Sequence, residues 1–142
     1  RLVFPASQSN SRKTPHHSRW SCPFDTKRFA RDINTYLRGT DVSFSYPLDI
    51  AGTPYQRNIW SALTRIPHGD TWTYQKLAEQ AGCKGSSRAA GNACGKNPVP
   101  ILIPCHRVVR SDGALGGFSA GLRWKKILLR IEGITFSRRR TP

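Results

Sequence analysis

Thr73-Tyr74-Gln75-Lys76-Leu77-Ala78-Glu79-Gln80-Ala81-Gly82-Cys83-Lys84-Gly85-Ser86-Ser87-Arg88-Ala89-Ala90-Gly91-Asn92-Ala93-Cys94-Gly95 is the stretch that decides the fold. Thr73 is placed to cap a helix that runs through Ala81 and is closed by Gly82. Ser86 or Ser87 opens another, through Ala89, Ala90 and Ala93 to Gly95. Two short helices joined by a tight turn predict a helix-turn-helix. The second is rich in small residues, which lets its backbone approach a groove closely. Helix-turn-helix proteins usually read base edges in the major groove. This Ala-rich helix carries too few base-reading side chains for that.

The flanking segments complete an α+β outline that is mainly α. Upstream, Thr53-Pro54-Tyr55-Gln56 reads as a capping box with Pro at the first helical position. Ile59, Trp60, Leu63 and Ile66 follow as an apolar stripe, and Pro67-His68-Gly69-Asp70 as a turn. Residues 28–38 place Phe29, Ile33, Tyr36 and Leu37 on one helical face, ended by Gly39. Val42 to Ile50 alternates at Val42, Phe44 and Tyr46 and is expected to be extended. Downstream, Val99 to Ile103 reads as a short apolar strand. Leu122 to Ile131 reads as a last helix, with Trp124, Ile127, Leu128 and Ile131 turned to the core and Gly133 after its end. Three segments are expected: a basic tail and shortened N-terminal region over 1–50, the helix-turn-helix domain over 51–135, and a basic tail over 136–142.

The chemistry centres on Ile103-Pro104-Cys105-His106-Arg107-Val108-Val109. A thiol reacts as its thiolate, and a neighbouring imidazole can favour that form or take the proton. The alternative is a buried structural cysteine beside a surface histidine. Glu132 stands at a helix C-terminus, where the macrodipole disfavours a carboxylate. It is either a frayed surface residue or it faces a cationic or donor partner. Gly113 to Gly121 is a small-residue loop, suited to lining a snug pocket or simply to turning.

Twenty-three Lys and Arg face eight Asp and Glu, for a formal net charge of +15. From Cys83 onward only Asp112 and Glu132 oppose the basic residues. Such an excess favours a phosphate backbone as partner. No apolar run approaches the roughly 20 residues that span a bilayer, and no h-region marks a signal peptide. The chain starts at Arg1 and has no Met, so a longer N-terminal region is expected. Four cysteines without a CxxC pair argue against a zinc ribbon. His16, His17 and Cys22 do not form a recognisable ligand pattern, and no metal is expected.

The stretch Asn97-Pro98-Val99-Pro100-Ile101-Leu102-Ile103-Pro104-Cys105-His106-Arg107-Val108-Val109 resembles the signature of methylated-DNA–protein-cysteine methyltransferases, the O6-alkylguanine repair proteins. The resemblance runs from about Leu48 to Gly133. It includes Gly52-Thr53-Pro54-Tyr55-Gln56, Ser86-Ser87-Arg88-Ala89-Ala90-Gly91, the 113–121 loop and Ile131-Glu132-Gly133. It implies a winged helix-turn-helix-like alkyltransferase domain preceded by a shortened or partial N-terminal α/β region. It also implies a monomer that acts on duplex DNA containing O6-alkylguanine, with O4-alkylthymine as a second possible substrate. DNA is approached from the minor groove and the damaged base is flipped, because O6 is inaccessible in the stack.

The same resemblance assigns roles to residues. Cys105 attacks the alkyl carbon, His106 accepts the thiol proton through a water, and Glu132 holds the other imidazole nitrogen. Asn97 is a hinge bonded to the main chain around the active-site turn. Arg88 is a finger that fills the space of the flipped nucleotide, and Tyr74 helps rotate it and faces guanine N3. Gln75 and Ser111 contact the DNA backbone. Pro100, Val108, Phe118 and Ser119 build the alkylguanine pocket, with Phe118 where many relatives have Tyr. Lys125 is a further candidate for stabilising charge on the leaving base. No cofactor is expected, since no methyl-donor site or GxGxxG is present. The thioether has no release path, so transfer is stoichiometric and self-inactivating. The compartment implied is the cytoplasm and nucleoid of a prokaryote or the nucleus of a eukaryote.

Three other readings compete. A non-catalytic module that flags alkylated bases shares the architecture but lacks the reactive cysteine. A cysteine hydrolase would use Cys105, His106 and Glu132, although such partners normally lie far apart in sequence. A transcription factor would show strong sequence preference.

Overall fold

The computed structural model describes residues 25–83 and 87–135. His16, His17 and Cys22, the C-terminal basic tail, and Ser86 lie outside them. In chain order the elements are α1 (Thr26–Leu37), α2 (Pro54–Leu63), β1 (Trp72–Thr73), α3 (Tyr74–Gln80), α4 (Ser87–Gly95), a 3-10 turn (Cys105–Arg107), β2 (Val108–Val109) and α5 (Leu122–Ile131). The fold is α+β, with helices packed around a two-stranded parallel sheet. No described helix is long and apolar enough to cross a membrane.

Caps written into the sequence start two helices. Thr53 Oγ1 accepts from the Gln56 N–H at 3.2 Å, and Gln56 Oε1 accepts from the Thr53 N–H at 2.9 Å, with Pro54 at the first position of α2. Thr73 Oγ1 accepts from the Lys76 N–H at 3.1 Å to start α3. Gly82, at φ +66, reverses the chain after α3, a conformation that costs other residues about 1–2 kcal/mol.

α3 and α4 form the helix-turn-helix pair, and α4 also packs on α2. Trp60 Nε1 donates to Ala93 O at 2.9 Å and ties α4 to α2. Ala90 and Ala93 are buried with Ile59, Leu63, Leu77 and Ile103 in one core. β1 pairs with β2 in the register Trp72↔Val108 and Thr73↔Val109. The start of α3 and the segment after Cys105–Arg107 therefore share one rigid seam.

The structure departs from the sequence reading at three places. Val99 to Ile103 is not a strand. It is a turn closed by a Pro100–Ile103 bridge, with Ile101 at φ +77. Pro98, Pro100 and Pro104 remove ladder donors from this run, so pairing begins only at Val108. On α5 the buried side chains are Lys125, Leu128 and Leu129, while Trp124 is 56% exposed. The inward stripe is rotated because the Lys125 ammonium finds carbonyl partners inside. On α1 the inward place belongs to Tyr36, and Leu37 is exposed.

Residues 42–50 form no ladder, yet their burial alternates as an extended segment requires: Val42, Phe44, Tyr46, Leu48 and Ile50 turn inward. Tyr46 Oη donates to Asp32 Oδ2 at 2.7 Å, and its ring meets Phe29 edge-on at 5.3 Å, which straps the segment to α1. Gly39, at φ +88, lies so close to α5 that a Cβ there would stand 3.1 Å from Ile131 O. The C-termini of α1 and α5 thus meet, and Tyr36 and Glu132 meet with them.

Candidate active site

Cys105 opens the 3-10 turn and is 3% exposed. Asn97 Nδ2 lies 3.1 Å from its sulfur and donates to Ile103 O at 2.7 Å; Asn97 Oδ1 accepts from the Val99 N–H at 3.0 Å. One amide thus clamps both ends of the proline-rich turn and reaches the Cys105 sulfur. Burial pushes the Cys105 thiol up, while the Asn97 hydrogen bond and the Lys125 charge pull it down less strongly. The thiol rests neutral at physiological pH and needs a base to react.

Its neighbour in sequence belongs to a buried polar cluster. His106 is fully buried, with Nε2 2.7 Å from Glu132 Oε1. Arg107 grips the same carboxylate twice, from Nε to Oε2 at 2.9 Å and from Nη2 to Oε1 at 3.0 Å, and its Nη1 donates to Ile66 O at 2.6 Å. Tyr36 Oη donates to Glu132 Oε1 at 2.7 Å, and the Gly69 N–H reaches Oε2 at 3.4 Å. Burial raises the Glu132 carboxyl, but bonds from His106, Arg107 and Tyr36 outweigh it and bring the pKa down to about 2. Burial lowers His106 despite its carboxylate partner, and Arg107 adds to the lowering. Arg107 already neutralises Glu132, so the imidazole rests neutral and able to take a proton.

A cavity of about 810 Å³ opens onto Cys105. Its wall brings together Tyr74 from α3, Ser87, Arg88, Gly91, Asn92, Cys94 and Gly95 from α4, and Arg110, Ser111, Gly116, Gly117, Phe118 and Ser119 from the segment after β2. Burial pushes Tyr74 up to about 12, so its hydroxyl keeps its proton and remains a donor. A Cβ on Gly116 would stand 2.7 Å from Tyr74 Oη; only glycine lets the loop approach the ring so closely.

Lys125 braces this loop from behind. Its Nζ is fully buried and donates to Val108 O at 2.5 Å, to Leu115 O and to Gly117 O at 3.2 Å, and lies 6.0 Å from the Tyr74 ring centre. Burial lowers its pKa to about 8. Lysine is here a strut between β2 and the cavity wall.

Of the residues singled out by sequence, Cys105, Tyr74, Arg88, Ser111, Phe118 and Ser119 meet at the cavity, with Asn97, His106 and Glu132 buried behind it. Val108 does not line it: its side chain is fully buried in the core and only its carbonyl reaches Lys125. Pro100 is also absent from the wall, because the turn it helps form folds back on Ile103. Gln75 is exposed on α3 and bonded to Glu79 at 3.1 Å. Sequence reasoning missed Tyr36, Arg107 and Cys94. Tyr36 carried only a core signal. Arg107 was findable, since Glu132 required a cationic partner. Among the described residues no group of His, Cys, Asp and Glu could hold a metal ion.

The sequence profile described as "6-O-methylguanine DNA methyltransferase, DNA binding domain" matches residues 54–134. The chain is 42% identical over 100 residues to the methylated-DNA–protein-cysteine methyltransferase of Mycobacterium bovis, covering 70% of this chain and 61% of that protein. It is 44% identical over 117 residues to the protein of the same name from Methanothermobacter thermautotrophicus, covering 81% and 65%. It therefore spans less than two thirds of these relatives' length. Among solved structures, Mycobacterium tuberculosis OGT in complex with DNA aligns at a TM-score of 0.71 and 40% identity, covering 74% of this chain and 64% of that one. A matched profile over more than half the chain, carried by the same α+β fold, places this chain in the 6-O-methylguanine DNA methyltransferase family, through the family's DNA-binding domain.

Proposed function

We propose that this protein repairs duplex DNA by moving the alkyl group of O6-alkylguanine onto Cys105, once per molecule and as a monomer. One observation carries the reading: a buried thiol at a cavity walled by Tyr74, Arg88, Phe118 and Ser119, with a neutral histidine on a carboxylate behind it. The names of the relatives and the excess of basic residues support the same substrate class. Residues 51–135 carry binding and chemistry, and residues 1–50 form the N-terminal region. Such a protein works where the DNA is, in a nucleoid or a nucleus.

Arg88, exposed on α4, enters the stack as the damaged nucleotide swings out. The base slides between Tyr74 and the 113–121 loop, with Phe118 against its face and Ser119 toward O6. Ser111 on the rim and Gln75 on α3 meet the DNA backbone. The Cys105 proton passes to His106, relayed by a water, and the imidazolium is held by Glu132. The thiolate attacks the alkyl carbon, the carbon–sulfur bond forms and the carbon–O6 bond breaks. Its electron pair leaves with guanine, whose N3 takes a hydrogen bond from the Tyr74 hydroxyl.

The test is intact-protein mass spectrometry after incubation with an O6-methylguanine duplex, with peptide mapping. One added methyl per chain, on Cys105 and absent from Cys105→Ala, is the expected result. No added mass, with retained preference for the alkylated duplex, replaces the reading with that of a damage-flagging binder.

A further inference from the structure

We propose that Tyr36, delivered by α1, is a positioning residue for this reaction: its hydroxyl locks His106 with the proton on Nε2, leaving Nδ1 as the base. The proposal rests on the alkyl-transfer reading of Cys105.

Three polar atoms close a triangle in the interior. Tyr36 Oη is 2.7 Å from Glu132 Oε1 and 3.1 Å from His106 Nε2, and Nε2 is 2.7 Å from the same Oε1. Counting protons leaves one arrangement. Glu132 is ionised and has none to give. The phenol has one, which lies on the short contact to Oε1. Nε2 therefore faces a carboxylate oxygen and a phenolic lone pair, and only an N–H satisfies both. With the proton on Nδ1, two acceptors would press on a bare nitrogen lone pair in a buried site. Nδ1 is buried and has no partner among the described residues, as a reserved acceptor requires.

The charges around the ring fit this role. His106 is faced by Glu132 at the end of α5, Tyr36 from α1, Arg107 and Cys105 on its own turn, and Lys125 from α5; the His68 ring stands 6.2 Å from that of Tyr36. Burial and the bond to Glu132 push Tyr36 well above the usual tyrosine range, so it never competes as a base. When Nδ1 takes the thiol proton, the Nε2–H contacts to Glu132 and Tyr36 become charge-assisted and shorten.

The hydroxyl is needed for this, and the ring is not. Edge contacts of the Tyr36 ring to Phe44 at 5.7 Å and to His106 at 6.5 Å survive in phenylalanine. Tyr36→Phe in the full chain is the test. It is read by the single-turnover methyl-transfer rate against pH, by His106 ¹⁵N shifts and by Tm. The expected result is a rate lowered about tenfold at neutral pH, at saturating O6-methylguanine duplex and unchanged DNA affinity. The His106 nitrogens should move from one tautomer toward a mixture, and no further loss should appear in a Glu132→Gln background. Unchanged rate, pH profile and ¹⁵N shifts overturn the proposal, as does a rate loss that follows Tm with the shifts unmoved. If the variant does not fold, 3-fluorotyrosine at position 36 decides: a moved His106 Nε2 shift upholds the proposal, and an unmoved one, or a wild-type proton on Nδ1, overturns it. If the wild type transfers nothing, the alkyl-transfer reading fails, while the nitrogen shifts still judge Tyr36.

Discussion

Asn97 Nδ2 stands 3.1 Å from Cys105 Sγ while the same nitrogen holds Ile103 O at 2.7 Å. The amide supports the thiolate and the turn that carries it. Asn97→Ala removes the donor that opposes burial at Cys105, leaves Ile103 O with only the Cys105 N–H at 2.8 Å, and strands the Val99 N–H. The expected cost is about 1–3 kcal/mol of stability. The pH at which Cys105 reacts with iodoacetamide should move upward, and methyl transfer should slow by about tenfold or more. Peptide mapping separates Cys105 from Cys22, Cys83 and Cys94. An alkylation profile at Cys105 that stays where it was would remove Asn97 from the activation of the thiol.

The helix-turn-helix was legible because its signals are local: Thr73 at a cap, Gly82 at a reversal, alanines where helices must approach. The Cys105–His106 pair and Glu132 were legible because their residue types sit oddly for a simple structural role. The turn at residues 99–103 was misread because an apolar run looks like a strand until its prolines are counted against the ladder. Lys125 was left off the inward face, and the polar role of Tyr36 went unread, for a different reason. Each is decided by a partner far away in sequence: the Val108, Leu115 and Gly117 carbonyls for Lys125, and Glu132 and His106 for Tyr36. Periodicity reports which face is inward but is silent on which polar group awaits it there.

Acid should dismantle the cluster at Glu132 late. Its folded pKa, about 2, lies below the usual 4.5 because donor bonds outweigh burial. A depressed carboxyl contributes stability that is fully present above pH 4.5 and is lost as pH falls through about 2. The contribution is about 3 kcal/mol. Urea midpoints measured from pH 6 to 2 should fall for the wild type and stay flatter for Glu132→Gln, which is less stable at pH 6. Parallel curves for the two proteins would show that this carboxylate is not linked to folding.

Gly116→Ala tests how tightly the cavity wall is fitted to Tyr74. The new Cβ would stand 2.7 Å from Tyr74 Oη and 2.9 Å from Cε2, at a backbone φ of +66. Gly113→Ala is its control, since φ there is +80 and nothing lies within 4 Å of the added atom. Both substitutions carry backbone strain of about 1–2 kcal/mol, and only the first pushes on the tyrosine. Tm should fall similarly for both, whereas transfer should drop by about tenfold or more for Gly116→Ala alone. Equal transfer rates would mean that the Tyr74 ring moves aside freely.

Arg88 separates base extrusion from simple attraction. It is exposed at the start of α4, on the cavity rim, and forms no salt bridge among the described residues. If it fills the stack as the nucleotide leaves, Arg88→Ala weakens only the extruded state. Single-turnover transfer from an O6-methylguanine duplex, at saturating protein, should then fall by about ten- to a hundredfold, since unstacking a base costs a few kcal/mol. Reaction with free O6-benzylguanine should be unchanged, because nothing has to be flipped. If Arg88 instead meets a phosphate, the loss appears in binding, uniformly across DNA sequences, and the slope of log affinity against log salt drops by about 1. A saturating rate equal to wild type with that reduced slope would assign Arg88 to the DNA backbone. Equal losses on duplex and free base would mean that the substitution has disturbed α4 and the Cys94 wall rather than removed a finger.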